Sequence, residues 1–231
     1  MIRDIVFFTS AVLYFPTIYA IKVYMARQSD EVRRDVSLIL KFPNALWDLG
    51  LSIFSTLGAY HTITQFYVHG LSCGYTVDTY WIDWFCISKV FELLDTVFIV
   101  ARSRPLVLLQ YYHHFATLLL CWMSNRVYPP ELFGAAVMNY SVHSVMYLYN
   151  FFMGIGYTKV RKYGVFITFF QTLQMVVAVY NLMKNKMKLC VEHPHIDVNM
   201  LYWYTFTMYS SYVILFGQLF WRKIQEKLKS K

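Results

Sequence analysis

Apolar runs of roughly 20 residues recur along the whole chain, separated by short segments rich in charge, proline or glycine. A run of this length crosses about 30 Å of hydrocarbon as a helix, and only helices and closed barrels satisfy their own backbone polar groups there. We therefore predict an all-α membrane protein with seven transmembrane helices in one domain, residues 1–231. The predicted spans are residues 5–25, 43–67, 82–101, 105–123, 132–153, 163–183 and 200–221.

The composition agrees with this prediction. The chain is 58% hydrophobic and 15% charged, whereas a soluble domain is about 25% charged. The first apolar run has Asp4 beside Arg3 and no small-residue cleavage site after it, so we interpret it as a retained helix rather than a removed signal peptide. Four cysteines lie far apart without a CxxC pair, so the cysteines indicate neither a disulfide framework nor a zinc site. They are Cys73, Cys86, Cys121 and Cys190.

Most of the 21 lysines and arginines fall on one side of the predicted bundle. They follow spans 1, 3 and 5 and end the chain. Because cytoplasmic loops are enriched in these residues, we predict a lumenal amino terminus and a cytosolic carboxyl terminus. The same basic face would attract a polyphosphate ligand, although topology alone also explains it. Its members next to spans 3 and 5 include Arg102, Arg104, Lys159 and Arg161.

Ionisable side chains inside span 3 need a physical account, because charge at membrane depth is costly. Lys89, Glu92 and Asp95 follow the spacing i, i+3, i+6, which keeps all three on about a third of the helix circumference. One face of the helix thus carries a cation between two carboxylates. Two interpretations stay open: an ion-pair clasp between helices, or a substrate-binding face.

Polar stripes also run through spans 4, 5 and 6. In span 4, Gln110, His113 and His114 fall within about 100° of one another, and two adjacent histidines beside a glutamine favour a catalytic or ligand-binding role. The stripes of spans 5 and 6 would be unsatisfied in lipid but can face a bundle interior. They are Asn139, His143, Tyr147 and Asn150, and Thr168, Gln171 and Gln174. Interhelical hydrogen bonding explains span 6 equally well.

Three histidines at membrane depth can serve metal binding, proton relay or nucleophilic catalysis. A di-iron site of the desaturase kind needs more histidine ligands than these three. A single zinc ion held by His113, His114 and His143 stays open, although adjacent histidines on one helix point about 100° apart and rarely ligate one ion together. We interpret the remaining histidines as surface or interface residues; they are His61, His69, His193 and His195.

Six short motifs follow one another in a fixed order through spans 2 to 7. Trp47–Gly58 is similar to WNxxLxxFSxxG, Lys89–Thr96 to KxxExxDT, Gln110–His114 to HxxHH, Asn139–Tyr149 to NYxVHxxMYxY, Thr168–Gln174 to TxxQxxQ and Ser211–Phe216 to SYxxLF. In this order and spacing the chain resembles the ELO family of very-long-chain fatty-acid elongases. It departs from the pattern at two positions. Asp48 stands where the family usually has asparagine, and Gln110 stands where the family has the first histidine of HxxHH. Glutamine can orient a neighbour by hydrogen bonding but cannot shuttle a proton.

The resemblance implies a 3-oxoacyl-CoA synthase, an acyltransferase that condenses a long-chain acyl-CoA with malonyl-CoA and releases carbon dioxide and CoA. It implies that helices 2 to 7 enclose an acyl-chain channel, and that no cofactor or metal is needed. The partners would be the two CoA substrates, membrane lipid and the ketoreductase, dehydratase and enoyl reductase of the elongation cycle, with no nucleic acid. Lys227 and Lys229 fit the KxKxx retrieval signal of endoplasmic-reticulum membrane proteins.

For that reaction we assign His113 as the nucleophile, because neutral imidazole attacks a thioester without prior deprotonation and an acyl-imidazole is itself a reactive donor. Cys86 and Cys121 have no basic neighbour at helical spacing, so we interpret them as packing residues. The other catalytic candidates are His114, His143, Asn139 and Gln110, the last three as hydrogen-bond donors to an enolate or oxyanion. The substrate-binding candidates are Lys89, Glu92, Asp95, Tyr147, Gln171, Gln174, Arg102, Arg104, Lys159 and Arg161.

Two alternatives of other classes stay open. One is a non-enzymatic seven-helix transporter or receptor, with the polar stripes along its pathway; the other is a histidine-metal lipid-modifying enzyme. Transporters often show internal repeats and helices broken by glycine or proline. The chain shows no internal repeat, and its prolines lie mostly at span ends, which favours the condensing enzyme.

Overall fold

The computed structural model describes residues 2–71, 73, 78–185 and 187–229. All regular elements among these residues are helical, which confirms the all-α prediction. The α-helices are α1 (Ile2–Ala26), α2 (Asp30–Ile39), α3 (Lys41–His69), α4 (Tyr80–Phe91), α5 (Leu93–Ala101), α6 (Leu108–Ser124), α7 (Pro130–Gly154), α8 (Gly164–Lys184) and α9 (Val198–Lys229), and a short 3₁₀ helix (Thr158–Tyr163) precedes α8.

Span 3 of the sequence prediction differs most from the structure, since it consists of two helices. α4 ends at Phe91 and α5 begins at Leu93, so the chain turns at Glu92. Ser88 donates a hydrogen bond from Oγ to Glu92 Oε1 over 3.1 Å, and this bond lies at the break. The amphipathic helix α2 was not predicted, because it is too short and too polar to resemble a span.

Two helical stretches among the described residues are long and apolar enough to cross a membrane by themselves: Ile2–Ala26 and Thr158–Lys184, each with mean hydropathy 1.5. The other long helices carry polar side chains directed inwards, which lowers their hydropathy. Buried examples are Asp48 and Ser52 in α3 and His143 in α7. Seven membrane crossings therefore stay a prediction.

The helices form a ring around a polar interior. α3 packs along α7, α7 contacts α8, α8 packs along α9, α9 contacts α6, and α6 contacts α4, which closes the ring on α3. α1 lies outside the ring against α5 and α6. Small residues allow the close approach of α3 and α7, since a Cβ atom added at Gly58 or Gly154 would meet Tyr140 or Ala45. The ring leaves its interior faces for the polar stripes of the sequence.

A disulfide joins Cys73 to Cys190, so the prediction of no disulfide was wrong. The two cysteines are 117 residues apart, and their Cα atoms lie 5.5 Å from each other. The spacing of the cysteines in the sequence does not predict this pair. The packing of helices α4 to α8 brings the two loops together at one end of the bundle. Cys86 and Cys121 are free and buried, in agreement with their interpretation as packing residues.

Asp83 organises polar contacts at the same end of the bundle. Its carboxylate accepts hydrogen bonds from Arg3 (3.3 Å), Asn125 (2.8 Å) and Tyr128 (2.5 Å), which connect α1, α4 and the loop after α6. Burial, with the hydrogen bond to Asp83, raises the pKa of Tyr128 to about 12. A phenol hydroxyl with so high a pKa stays protonated, so it remains a donor to the carboxylate.

Candidate active site

A cavity of about 420 Å³ lies inside the helix ring and gathers most of the predicted site residues. α3, α5, α6, α7 and α8 all contribute to its lining. The predicted members that line it are Gln110, His113, His114, His143, Asp95, Tyr147, Gln171, Gln174, Arg102 and Arg104. Sequence positions about 80 residues apart thus meet around one space, as an active site requires.

His113 differs from the other two histidines in its hydrogen bonding. Tyr212 donates to the backbone carbonyl oxygen of His113 over 3.0 Å and packs its ring 5.0 Å from the imidazole. These contacts fix the helix turn and the ring plane. No hydrogen bond engages the ring nitrogens of His113 among the described residues, so a nitrogen lone pair is available to a reaction partner.

His143 is held by a chain of buried polar groups. Lys89 Nζ, which can only donate, forms hydrogen bonds to Glu92 Oε1 (2.7 Å) and to Asn139 Oδ1 (2.9 Å). Asn139 therefore presents its amide Nδ2 to His143 Nε2 over 3.1 Å. His143 Nε2 accepts, so the ring proton resides on Nδ1, 3.9 Å from Glu92 Oε1. Neither Lys89 nor Glu92 lines the large cavity, so their contacts place them behind Asn139 and His143.

His114 shares its surroundings with Asp95. Gln110 donates from Nε2 to His114 Nε2 over 2.7 Å, and Asp95 Oδ2 lies 3.9 Å from the same ring nitrogen. The Asp95 carboxylate accepts from Trp47 Nε1 (2.8 Å) and from the Tyr147 hydroxyl (2.7 Å). Hydrogen bonds on both oxygens of the Asp95 side chain fix its position beside His114.

Gln174 carries a polar atom that lacks a partner within the described part of the protein. Its Oε1 is buried without a hydrogen bond, while its side chain lines the large cavity and a smaller one of about 30 Å³. Gln171 donates to Met146 Sδ over 3.0 Å, and Thr168 accepts from Lys223 Nζ over 2.7 Å. Of this stripe, Gln174 is thus the member ready to accept a hydrogen bond from a ligand.

The smaller cavity continues the site on the other side of His113. Besides His113 and Gln174 it is lined mainly by apolar and aromatic side chains, namely Phe85, Met138, Met175, Met208, Tyr209 and Tyr212, with Thr117, Ala135 and Asn139. His113 therefore separates a large, mixed-polarity cavity from a small, mostly apolar one.

Basic side chains form the rim of the large cavity. Lys41, Arg102 and Arg104 line it there. Arg102 Nη1 donates to Asn44 Oδ1 over 3.1 Å, and Asn44 Nδ2 donates to Asp48 Oδ2 over 2.9 Å. Burial lowers the pKa of Arg102, Arg104 lowers it further and Asp48 raises it. An arginine remains a cation in a protein, so the rim is positive.

Sequence reasoning missed several contributors to this site. Trp47 and Asp48 were quoted for their motif but given no role, and Lys41 and Asn44 were not singled out. The spacing i, i+4 of Asn44 and Asp48 was a usable signal, because such pairs face each other on a helix. Lys159 and Arg161 lie exposed in the 3₁₀ helix and do not line the large cavity.

Two further predictions concern metal and the carboxyl terminus. Within residues 2–71, 73, 78–185 and 187–229, no group of three or more His, Cys, Asp and Glu side chains is placed to hold a metal ion. His113, His114 and His143 thus line one cavity without forming a ligand cluster. Lys227 and Lys229 are exposed at the end of α9, and residues 230 and 231 of the predicted retrieval signal lie outside the described residues.

Comparison with known proteins relates the chain to one family. The profile of the ELO family, described as GNS1/SUR4, matches residues 3–231. The chain is 30% identical to very long chain fatty acid elongase 4 of Trypanosoma cruzi, over 95% of this chain and 82% of the relative. It is 32% identical to very long chain fatty acid elongase 6 of Mus musculus, over 93% of this chain and 85% of the relative. No solved structure matches the chain significantly.

Proposed function

Because this chain belongs to the GNS1/SUR4 (ELO) family, we propose that it is the condensing enzyme of fatty-acid elongation, a 3-oxoacyl-CoA synthase. Fatty-acid elongation follows from the family and from the elongase relatives, which match over most of their length. The reaction joins a long-chain acyl-CoA to malonyl-CoA, with loss of carbon dioxide and CoA. The product, a 3-oxoacyl-CoA, needs a ketoreductase, a dehydratase and an enoyl reductase to become a saturated acyl chain.

The observation that carries the mechanism is the free imidazole of His113. His114 is bonded to Gln110 and His143 to Asn139, whereas the ring nitrogens of His113 have no hydrogen bond among the described residues. A neutral imidazole with a free lone pair is a competent nucleophile toward a thioester. His113 also lines the large cavity, so a thioester bound there can reach its imidazole.

In the first half-reaction, a nitrogen of His113 attacks the thioester carbonyl carbon. The carbon–sulfur bond breaks, the imidazole proton passes to the leaving thiolate, and CoA departs as the thiol. In the second half-reaction, malonyl-CoA loses carbon dioxide and the electron pair forms an enolate. The enolate carbon attacks the acyl carbon, the carbon–nitrogen bond breaks, and His113 takes up a proton, which restores the neutral imidazole.

Donors around the cavity stabilise the negative charge that develops on oxygen. His143 retains the proton on Nδ1 because Asn139 occupies its Nε2, and Gln110 has a second amide hydrogen besides the one it gives to His114. Such preorganised donors act strongly where water is excluded. The ring of helices also protects the acyl-imidazole from hydrolysis.

Mass spectrometry of the purified protein tests the covalent step. Incubation with acyl-CoA alone should release CoA in a burst near one equivalent and add one acyl mass, carried by the peptide that contains His113. His113→Ala should abolish the adduct. Cys86→Ala and Cys121→Ala are matched controls, since both cysteines are buried near the site and should leave the adduct unchanged.

Four outcomes would overturn parts of the scheme. An acyl mass on a cysteine peptide contradicts the acyl-imidazole and makes that cysteine the nucleophile. No CoA release before malonyl-CoA is added also contradicts the acyl-imidazole and favours a direct ternary-complex condensation. Absence of carbon dioxide release with every acyl-CoA contradicts the condensing enzyme and favours the transporter or receptor alternative. Loss of activity on chelation, restored by one metal ion, favours the histidine-metal enzyme.

The proposal includes a location in the endoplasmic-reticulum membrane, with seven spans and the Arg102 rim in the cytosol. The disulfide between Cys73 and Cys190 supports this orientation, because disulfides persist in the oxidising lumen and are rare in the cytosol. A glycosylation acceptor grafted into residues 70–80 should be modified, while one after Lys229 should not. The reverse pattern would contradict the orientation.

A further inference from the structure

A second cavity, of about 380 Å³, shares Arg102 with the large cavity of the active site. Helix α2 supplies most of its lining through Asp30, Arg33, Arg34, Ser37 and Leu38, and Ser103 completes it. Three guanidinium groups face one carboxylate, so the lining has a net positive charge. Arginine is the side chain best suited to bidentate contact with phosphate. The mechanism above uses none of the α2 residues.

Arg102 is built into this place rather than lying freely on the surface. It is 8% exposed, and Nη1 donates to Asn44 Oδ1, which is itself held through Asp48. Its Nε atom is buried and has no hydrogen-bond partner among the described residues. A buried, charged donor without a partner is unfavourable, and an anionic oxygen at the junction of the two cavities would satisfy it.

The backbone after Arg102 ends α5 in a Schellman motif. Ser103 has φ 53°, a left-handed conformation that a non-glycine residue adopts rarely. The turn is closed by hydrogen bonds from Ser103 N to Val100 O and from Arg104 N to Ile99 O, each 3.0 Å. It places Arg102 and Arg104 next to each other at the cavity rim.

Helix α2 is held against the bundle by a very short connection. α2 ends at Ile39, α3 begins at Lys41, and Leu40 alone joins them. The position of Arg33 and Arg34 relative to the active-site cavity is therefore fixed by α3. A helix on a long, flexible linker could not form a preorganised binding surface. Because a single residue joins α2 to α3, α2 can form one.

We propose that α2 and Arg102 form the binding site for the adenosine 3′,5′-bisphosphate end of the CoA substrates, which places the pantetheine arm in the large cavity. This inference rests on the proposed function. Arg34 and Arg102 bind phosphate oxygens, and Ser37 and Ser103 supply hydroxyl donors. Leu38, 62% exposed and apolar, gives the adenine ring a surface to cover. Arg33 forms an ion pair with Asp30, so it acts mainly by its charge.

The phosphate of an anionic lipid headgroup has the same chemistry as a nucleotide phosphate, and α2 follows directly on the predicted first span. The geometry favours the nucleotide, because the α2 cavity shares Arg102 with the reaction cavity, whereas a headgroup site needs no such connection. Binding of adenosine 3′,5′-bisphosphate by the purified full chain, measured by calorimetry in a neutral detergent, separates the two sources without requiring turnover.

Arg34→Gln tests the site, with Arg27→Gln as the matched control. Arg27 is an exposed cation close in sequence that lines neither cavity. Arg34→Gln should weaken bisphosphate binding and raise KM for acyl-CoA about tenfold, the usual effect of one charge-assisted hydrogen bond. It should leave kcat and the kcat/KM of acyl-pantetheine, which lacks the nucleotide, unchanged. Arg27→Gln should change none of these quantities.

Other results contradict the inference in distinguishable ways. Equal bisphosphate affinity in Arg34→Gln and wild type removes the α2 site while the condensation reaction stands. If Arg34→Gln instead weakens binding of phosphatidylinositol added to the protein in detergent, with nucleotide affinity unaltered, the cavity is a headgroup site. Bisphosphate binding that depends on Arg34, in a protein that releases no carbon dioxide from any pair of CoA substrates, supports a nucleotide site but contradicts the proposed function.

Discussion

Gly58 in α3 lies against the buried ring of Tyr140 in α7. A Cβ atom added at Gly58 would lie 2.6 Å from Cε1 and Cζ of Tyr140 and 2.7 Å from Cδ1. Tyr140 is 2% exposed, and its hydroxyl donates to the carbonyl oxygen of Trp81 over 3.0 Å. Phe54 and Phe85 enclose the same ring, with centroids 5.6 and 5.4 Å away. Gly58→Ala should therefore destabilise the bundle.

The magnitude follows from two opposing effects. Carbon atoms are in favourable contact at about 3.5–4.0 Å, so the new methyl group and the ring must separate by roughly 1 Å. Overpacking of a well-filled core costs about 1–3 kcal/mol, and three ring atoms in conflict at once place Gly58→Ala near the upper value. Alanine regains about 1 kcal/mol of helix propensity over glycine. The net loss should be about 2 kcal/mol.

Gly50→Ala is the matched control, because it makes the same substitution in the same helix where no atom lies within 4 Å. It should gain up to about 1 kcal/mol from helix propensity. Thermal unfolding in detergent, followed by circular dichroism at one scan rate, should give a midpoint about 4–8 °C lower for Gly58→Ala than for wild type. It should give an equal or higher midpoint for Gly50→Ala.

A double-mutant cycle identifies the cause. In a Tyr140→Leu background the planar ring is absent, so Gly58→Ala should cost little or be favourable, and the coupling energy should be about 2 kcal/mol. A Gly58→Ala protein as stable as wild type would refute the reasoning. An equal loss in the Tyr140→Leu background would also refute it, because the steric conflict would then not be with this ring.

Three further predictions concern other contacts. Lys89→Met should cost about 3–5 kcal/mol in unfolding free energy, because it leaves the Glu92 carboxylate buried and uncompensated; an unchanged midpoint would contradict the ion pair. Trp47→Phe should lower kcat while the protein stays folded, since Asp95 loses one of its two hydrogen bonds; kcat equal to wild type would exclude a positioning role. Cys73→Ser should lower the unfolding free energy by about 2–4 kcal/mol and make the unfolding midpoint insensitive to reductant, whereas a midpoint that still responds would point to another disulfide.

The sequence predicted helix positions well because apolar length is a local property. Each predicted span lies largely within helical residues, from Ile2–Ala26 to Val198–Lys229. The break at Glu92 was not predictable in the same way, since the residues on both sides are apolar and no proline or glycine precedes it. The disulfide between Cys73 and Cys190 was missed because it depends on the packing of five intervening helices.

Partner choice within the site was also beyond the reach of helical periodicity. Lys89, Glu92 and Asp95 were predicted to share a face, which suggested one cluster. In the structure, Lys89 is bonded to Glu92 and Asn139, whereas Asp95 is bonded to Trp47 and Tyr147. Periodicity gives the angle of a side chain about its own helix, but the neighbour in that direction is set by the ring of helices.

Gln110, the departure from the family's histidine box, acquires a clear role once its partner is known. Its amide donates to His114 Nε2 and makes no hydrogen bond to His113. The substitution therefore leaves the proposed nucleophile untouched.

An amide nitrogen can only donate, so Gln110 makes His114 Nε2 an acceptor and places the ring proton on Nδ1. A histidine at position 110 could also fix this tautomer of His114 by donating a ring N–H to Nε2. Unlike glutamine, it could in addition take up a proton. What glutamine removes is thus proton transfer at His114, not the orientation of the ring. The mechanism proposed here assigns proton exchange to His113 and its leaving group, which is consistent with an active enzyme that carries Gln110.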